Sequence, residues 1–120
     1  MHNSVQKFKD ITNAIHRKIE EQKINLTPTV IAVSKTFKLE KILPLIEFGH
    51  LDYGENKVQE AIDKWSDIKL KNQNIKLHLI GKLQTNKVKH AIKIFDYIHS
   101  VDSLKLAKKI ADEQQKQNKN

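Results

Sequence analysis

Apolar residues recur along the chain at two alternating spacings, one typical of helices and one typical of buried strands. In the first segment they fall three and four residues apart, which predicts a helix with one apolar stripe. The stripe consists of Val5, Phe8, Ile11, Ile15 and Ile19. Residues 30–33 then form a short, continuous and mostly β-branched apolar run. Such a run predicts a strand that is buried on both faces.

The same alternation continues to the end of the chain. Three more strands are predicted at residues 51–54, 77–80 and 97–101, and a helix is predicted after every strand. The apolar helix positions are Leu39, Ile42, Leu43 and Ile46; Val58, Ala61, Ile62, Trp65 and Ile68; Val88, Ala91, Ile92 and Phe95; and Leu104, Ala107 and Ile110 or Ala111. Gly49 is placed to cap the first of these helices, and Pro44 inside it predicts a kink or a break.

One leading helix followed by four strand–helix units predicts an α/β protein with a parallel sheet, because a helical crossover brings successive strands into parallel pairs. Two architectures fit this order: an open doubly wound sheet, and half of an eight-stranded barrel. The complete barrel needs about 250 residues. Periodicity alone does not choose between them. We predict a single domain over residues 1–112, and we expect the polar residues 113–120 to fray into solvent.

Composition narrows the choice of partners. The formal net charge of +8 would suit an anionic partner such as nucleic acid. However, Arg17 is the only arginine among 22 basic residues, and the lysines are spread over the whole length. Because base recognition usually relies on arginine, a solvated lysine-rich surface is favoured over a nucleic-acid site.

The sequence also bears on the compartment and on metal chemistry. The chain has no cysteine, which excludes disulfides and fits a reducing compartment. Its first residues carry no apolar run like that of a signal peptide, and no stretch reaches the ~18 apolar residues of a membrane span. The histidines lack the spacing of zinc motifs. We therefore expect a cytoplasmic protein without a membrane partner or a metal site.

Polar residues follow the predicted strands, where both architectures place their ligands. Lys35 follows the first strand, Asn56 the second and Gly81 the third. An amine at the end of a buried strand would lose water, which disfavours the ammonium and supplies the neutral amine that imine formation needs. From position alone, a lysine whose stem packs and whose head reaches water is the favoured alternative.

Four ordered blocks of sequence point to a known family. They are IAVSKT at residues 31–36, FGHLDYGENKVQE at 48–60, LHLIGKLQTNK at 77–87 and IHSVDSL at 98–104. Together they closely resemble the pyridoxal 5'-phosphate (PLP) homeostasis proteins, which are small single-domain relatives of the alanine racemase barrel. The resemblance implies a partial, half TIM barrel of the alanine-racemase N-terminal type that binds PLP.

The same resemblance implies roles for individual residues. Lys35 matches the lysine that forms the Schiff base with PLP, Asn56 and His78 match positions near the cofactor ring, and Gly81 opens a loop at the same mouth. Asn56 could equally be a helix N-cap, and a packed core histidine is the favoured alternative for His78. Lys82 departs from the family, in which histidine or proline is common, so the conformation of this loop is less determined.

The function implied is that of a PLP carrier or buffer without catalytic residues, whose partners include PLP-dependent apo-enzymes. The alternatives are a fragment of a racemase-like PLP enzyme and a truncated module without affinity for PLP. The family's barrel is about twice as long, and the cofactor phosphate is held after its later strands. We therefore expect binding to be impaired by truncation, and the unpaired sheet edges predict self-association.

Overall fold

A computed structural model describes residues 3–23, 25 and 28–119 of the chain. The elements, in chain order, are α1 Asn3–Gln22, β1 Ala32–Val33, α2 Leu39–Phe48, β2 Asp52–Glu55, α3 Val58–Lys71, β3 Lys76–Leu79, α4 Val88–Ile94, β4 Tyr97–Ile98 and α5 Leu104–Lys116. A 3₁₀ turn, Thr85–Lys87, leads into α4. The predicted order of one helix and four strand–helix units is confirmed.

The four strands form one parallel sheet in the order β1-β2-β3-β4. Strand order therefore follows chain order, without the reversal that marks a doubly wound sheet, and this is the order found in a β/α barrel. In the register, Ala32 lies opposite Tyr53, and Gly54 opposite His78. Because side chains alternate along a strand, Tyr53 projects toward α3 while His78 projects from the opposite face.

The sheet and the last three helices form one compact unit, which comprises Ile31–Phe37 and Leu51–Asn120. Its core lies between the sheet and the helices, where Trp65 of α3 packs 4.8 Å from the ring of Tyr53. Both side chains are fully buried, as are Leu77 and Leu79 of β3. Tyr53 and Trp65 therefore serve packing, and burial also raises the pKa of the Tyr53 hydroxyl.

Helix α5 buries a different face from the one predicted. Leu104 is 90% exposed, whereas Leu106 is buried and Ile110 is half-buried. The side chain of Ser103 accepts a hydrogen bond from the Leu106 N–H and so caps the start of the helix. The predicted stripe was therefore wrong at Leu104 and Ala107, which are both exposed, and only its Ile110 position is partly buried.

The end of the chain also differs from expectation, because α5 continues to Lys116 instead of fraying from residue 113. Beyond the helix, the Nζ of Lys119 donates hydrogen bonds to the carbonyl oxygens of Ile92 and Phe95. The last carbonyls of α4 thereby gain a partner that the helix itself does not supply. Residue 120 lies outside the described residues, and the domain boundary at 112 stays a prediction.

Helices α1 and α2 belong to a second compact unit, which comprises Met1–Val30 and Lys38–His50. Val5 of α1 and Ile42 of α2 are buried. Helix α2 runs unbroken through Pro44, and Gly49 ends it in the left-handed conformation at φ 104°. The predicted glycine cap is confirmed.

Within the described ranges, no helix combines the length and apolar character that crossing a bilayer demands.

Candidate functional site

Lys35 lies in the turn directly after β1, and its side chain is exposed. Position in the sequence left two alternatives for this amine, loss of water at the strand end or contact with solvent, and the structure agrees with the second, which position alone favoured. The reason is that β1 is an edge strand of only two residues, in which Val33 is itself 50% exposed. Lys35 therefore meets solvent at the carboxyl edge of the sheet.

The backbone on both sides of Lys35 is held by hydrogen bonds. Ser34 is buried, and its N–H donates to the carbonyl oxygen of Gly54 at 2.9 Å. The N–H of Thr36 donates to both carboxylate oxygens of Glu60, at 3.2 and 3.3 Å. The hydroxyl of Thr36 donates to the carbonyl oxygen of Lys35 at 2.6 Å. The side chain of Lys35 is thus exposed, and the backbone on both sides of it is held by hydrogen bonds.

A buried carboxylate lies beneath this turn. Glu55, at the end of β2, is fully buried, and its Oε2 accepts hydrogen bonds from the Ser34 hydroxyl at 2.6 Å, from Lys64 at 3.0 Å and from the Trp65 indole at 3.0 Å. Lys64 also donates to the carbonyl oxygen of Ser34 at 2.7 Å. A buried charge needs such partners, because removing an ion from water without them costs on the order of several kcal/mol.

Two of the predicted site residues, Asn56 and Gly81, lie together. A Cβ added at Gly81 would be only 2.5 Å from the Cβ of Asn56, so this contact requires glycine. Both residues line an open cavity of about 460 Å³. Its lining residues are Asn56, Lys57, Val58, Gln59, Gly81, Lys82, Gln84 and Lys87.

Asn56 has a spare hydrogen-bond acceptor at this cavity. Its Oδ1 is buried and finds no hydrogen-bond partner in the described part of the chain. The N-cap of α3 is Lys57, which makes no side-chain cap, so the capping alternative for Asn56 is wrong. A buried polar oxygen without a partner marks a place where a ligand donor would be stabilised.

His78 is packed within a polar cluster on the other face of the sheet. Its Nε2 lies 2.9 Å from Oδ1 of Asp52, and its Nδ1 lies 3.0 Å from Nε2 of His99. The ring also stacks on Tyr97, with centroids 4.7 Å apart. Because both ring nitrogens have partners, His78 has no free donor or acceptor for a ligand. This is the packed alternative, and its place near a cofactor ring stays a prediction.

Sequence reasoning missed several residues at this edge. Glu60 supports the turn after β1, and its pKa is lowered from the ordinary value, chiefly by the hydrogen bond from the Thr36 N–H. Glu55 and Lys64 form the buried ion pair, and Asp52 and His99 complete the cluster around His78. The available signal for Glu55 was a carboxylate directly after the second predicted strand. The contacts of the other residues depend on which side chains the fold and the strand register bring together.

The charge around the cavity suits an anionic ligand. Three lysines among its lining residues, Lys57, Lys82 and Lys87, are exposed. In the described portion of the chain, no three histidine or acidic side chains come together in a way that could hold a metal ion. The groups available are therefore an exposed amine at one strand end and an amide oxygen beside a basic cavity at the next.

Comparison with known proteins follows the same direction. No family model matches the chain. A Vibrio alginolyticus protein named pyridoxal phosphate homeostasis protein is 34% identical over 113 residues, which is 90% of this chain and 48% of that protein. A protein of the same name from Buchnera aphidicola is 46% identical over 78 residues, or 65% of this chain and 34% of that one.

Solved structures resemble the chain as well. PipY of Synechococcus elongatus with PLP bound is 37% identical, with a TM-score of 0.70 over 87% of this chain and 50% of PipY. The same protein without PLP gives a TM-score of 0.72 at 36% identity. A protein from Bifidobacterium adolescentis is 28% identical, with a TM-score of 0.69.

Fold and edge site together define a parallel β/α protein with a partial TIM-barrel fold. The chain spans about half the length of the curated relatives it matches. It belongs to the pyridoxal phosphate homeostasis family, as its four sequence blocks predicted.

Proposed function

We propose that the chain binds PLP and takes part in PLP homeostasis as a cofactor carrier or buffer, with Lys35 as the covalent attachment point. The observation that carries the proposal is the position of Lys35, directly after the first strand of a parallel sheet in a chain 37% identical to PLP-bound PipY. The amine of Lys35 would condense with the aldehyde carbon of the cofactor to form a C=N bond and release water.

The residues present fit such a ligand. Bound PLP supplies an aldehyde, a polar ring and an anionic phosphate. The unpaired Oδ1 of Asn56 offers an acceptor to a ring donor, and Gly81 leaves the room beside it that a side chain would fill. The exposed lysines of the cavity offer positive charge. His78 would contribute by shaping the sheet, since its nitrogens are already engaged.

The proposal includes no reaction on a substrate. The relatives of the chain are named as homeostasis proteins and not as enzymes, and no feature of the chain favours a racemase-like activity. Its partners would be PLP-dependent apo-enzymes that take up the cofactor. A cytoplasmic location, consistent with the absence of cysteine, belongs to the same proposal.

Chemical trapping tests the proposal. The chain is mixed with graded PLP, the imine absorbance is recorded, borohydride fixes the adduct, and mass spectrometry locates it. We expect Lys35 to saturate at PLP concentrations that leave other lysines unlabelled. Lys35→Arg keeps the charge and should abolish this label and absorbance, whereas the control Lys108→Arg, on an exposed position of α5, should change neither.

A different labelling pattern would contradict attachment of PLP at Lys35. Labels spread over many surface lysines, with an absorbance that Lys35→Arg leaves unchanged, would reflect ordinary amine chemistry. The alternative of a module without specific affinity for PLP would then replace the proposal.

A further inference from the structure

The residue after Lys35 has an unusual backbone conformation. Thr36 has φ 65°, in the left-handed region. Threonine is β-branched, and its side chain makes this region unfavourable. The other described non-glycine residues with positive φ are Lys23 and Asn118, neither of which is β-branched. Thr36 therefore needs specific contacts to hold it.

Those contacts come mainly from one side chain. Glu60, in the first turn of α3, accepts the Thr36 N–H with both carboxylate oxygens. A carboxylate at this position is also stabilised by the N-terminal end of the helix. Ser34, on the other side of Lys35, is fixed by Glu55 and Lys64. The two peptide groups flanking Lys35 are thus tied to β2 and α3.

Side-chain packing does not orient Lys35. Its side chain is exposed and has four rotatable carbon bonds, so the direction in which it leaves the sheet edge depends on the backbone of residues 34–36. Small misplacements of a reacting group lower its effective concentration at a site strongly. The turn therefore sets the point and the direction from which the side chain of Lys35 extends, and so which space its amine can reach.

We propose that Glu60 is the positioning residue for Lys35: its carboxylate holds Thr36 in the left-handed conformation and so directs the amine toward the cofactor site. This inference rests on the proposed function and adds to it a residue that does not touch the cofactor. It also predicts that a residue at position 36 free to adopt positive φ makes Glu60 dispensable.

The test uses that compensation. Glu60→Ala should raise the PLP concentration that half-saturates the borohydride-trapped label on Lys35 by ~10-fold. Glu60→Gln keeps an acceptor oxygen and should raise it less. Thr36→Gly in the Glu60→Ala background should restore the wild-type value, because glycine adopts positive φ without strain. The control Asp67→Ala removes another exposed carboxylate of α3 and should have no effect.

A second readout needs no cofactor. Amide hydrogen exchange of Thr36, followed by NMR, should quicken in Glu60→Ala and stay at the wild-type rate in Asp67→Ala. Thermal unfolding of each variant shows whether it is folded. If Glu60→Ala does not fold, Glu60→Gln is compared in the wild-type and Thr36→Gly backgrounds, and its effect on labelling should vanish in the second.

Failure of the proposed function and failure of the positioning role of Glu60 give different results. If wild-type Lys35 is not labelled selectively, the proposed function fails, whatever the exchange data show. If wild-type Lys35 is labelled and Glu60→Ala is labelled at the same PLP concentration, the positioning role is wrong. The role is also wrong if Thr36→Gly does not restore labelling of Lys35 in Glu60→Ala. It is equally wrong if Glu60→Gln raises the half-saturating PLP concentration by the same factor in both backgrounds, since a general stabilising residue would behave that way.

Discussion

At the scale of single residues, the contact between Gly81 and Asn56 is the tightest constraint at the cavity. The loop after β3 approaches the end of β2 so closely that a methyl group at position 81 would overlap the Cβ, Cα and carbonyl oxygen of Asn56. Two of these atoms belong to the backbone, which cannot swing aside as a side chain can. The glycine thus sets the spacing of the two polar strand ends.

We expect Gly81→Ala to lower the free energy of unfolding by about 1–3 kcal/mol, because either the loop or the end of β2 must move. Urea denaturation followed by circular dichroism measures this change. Lys82→Ala, at the next and exposed position, is the matched control and should stay within about 0.5 kcal/mol of the wild type. Equal stability of Gly81→Ala and Lys82→Ala would show that the approach relaxes freely.

Three of the four site residues predicted from sequence, Lys35, Asn56 and Gly81, follow a strand, whereas His78 lies within β3. Asn56 and Gly81 could be named because the carboxyl ends of parallel strands share one edge, and the structure brings them together. Glu60 could not be named, because its role depends on the path of a turn and the direction of a helix twenty-four residues later. The sequence left open whether the amine of Lys35 loses its water or reaches solvent, since periodicity does not reveal which strand lies at an edge, and the structure shows it exposed.

At the scale of elements, α5 shows that a periodic pattern can fit two faces of one helix. The residues that face the core are spaced four and three apart. They are Leu106, Ile110 and Glu113. Apolar residues also lie outside this stripe, so periodicity alone allowed a second interpretation with Leu104 inside. The burial of Leu106 and the exposure of Leu104, visible only in the structure, decide between them.

Two leucines of this helix make a direct test. Leu106→Ala should lower the free energy of unfolding by about 2–5 kcal/mol, because it empties a buried site. Leu104→Ala, two positions away and exposed, should change it by no more than about 0.5 kcal/mol. Thermal and urea unfolding of both variants measures the difference. The reverse ranking would restore the face predicted from sequence and contradict the structure.

At the scale of the whole molecule, the sheet is bounded by two edges. Among the strands that the structure describes, β1 and β4 each pair on one side only. Apolar side chains near β4 are exposed, including Tyr97 and Val101. Strand order and parallel pairing were predictable from the repeating pattern, whereas what covers these edges depends on chains or segments that periodicity does not describe.

We expect the chain to self-associate through the β4 edge. Light scattering should give a mass that rises above the 14.0 kDa of one chain as concentration increases. Val101→Lys places a charge on the exposed edge and should shift the mass toward that of one chain. Lys108→Arg, on the exposed surface of α5, should leave it unchanged. A mass of one chain at every concentration would contradict the expectation.

The buried carboxylate of Glu55 has a consequence for how the sheet comes apart. It joins β1, through Ser34, to the indole and ammonium groups of α3. Strand β1 has only two residues and could not resist fraying by its ladder alone. Detaching β1 would leave the interior ion pair with one donor missing, so we expect β1 to open together with α3 and not as a loose end. A strand of two residues is thereby fastened to the interior of the sheet through a neighbouring side chain.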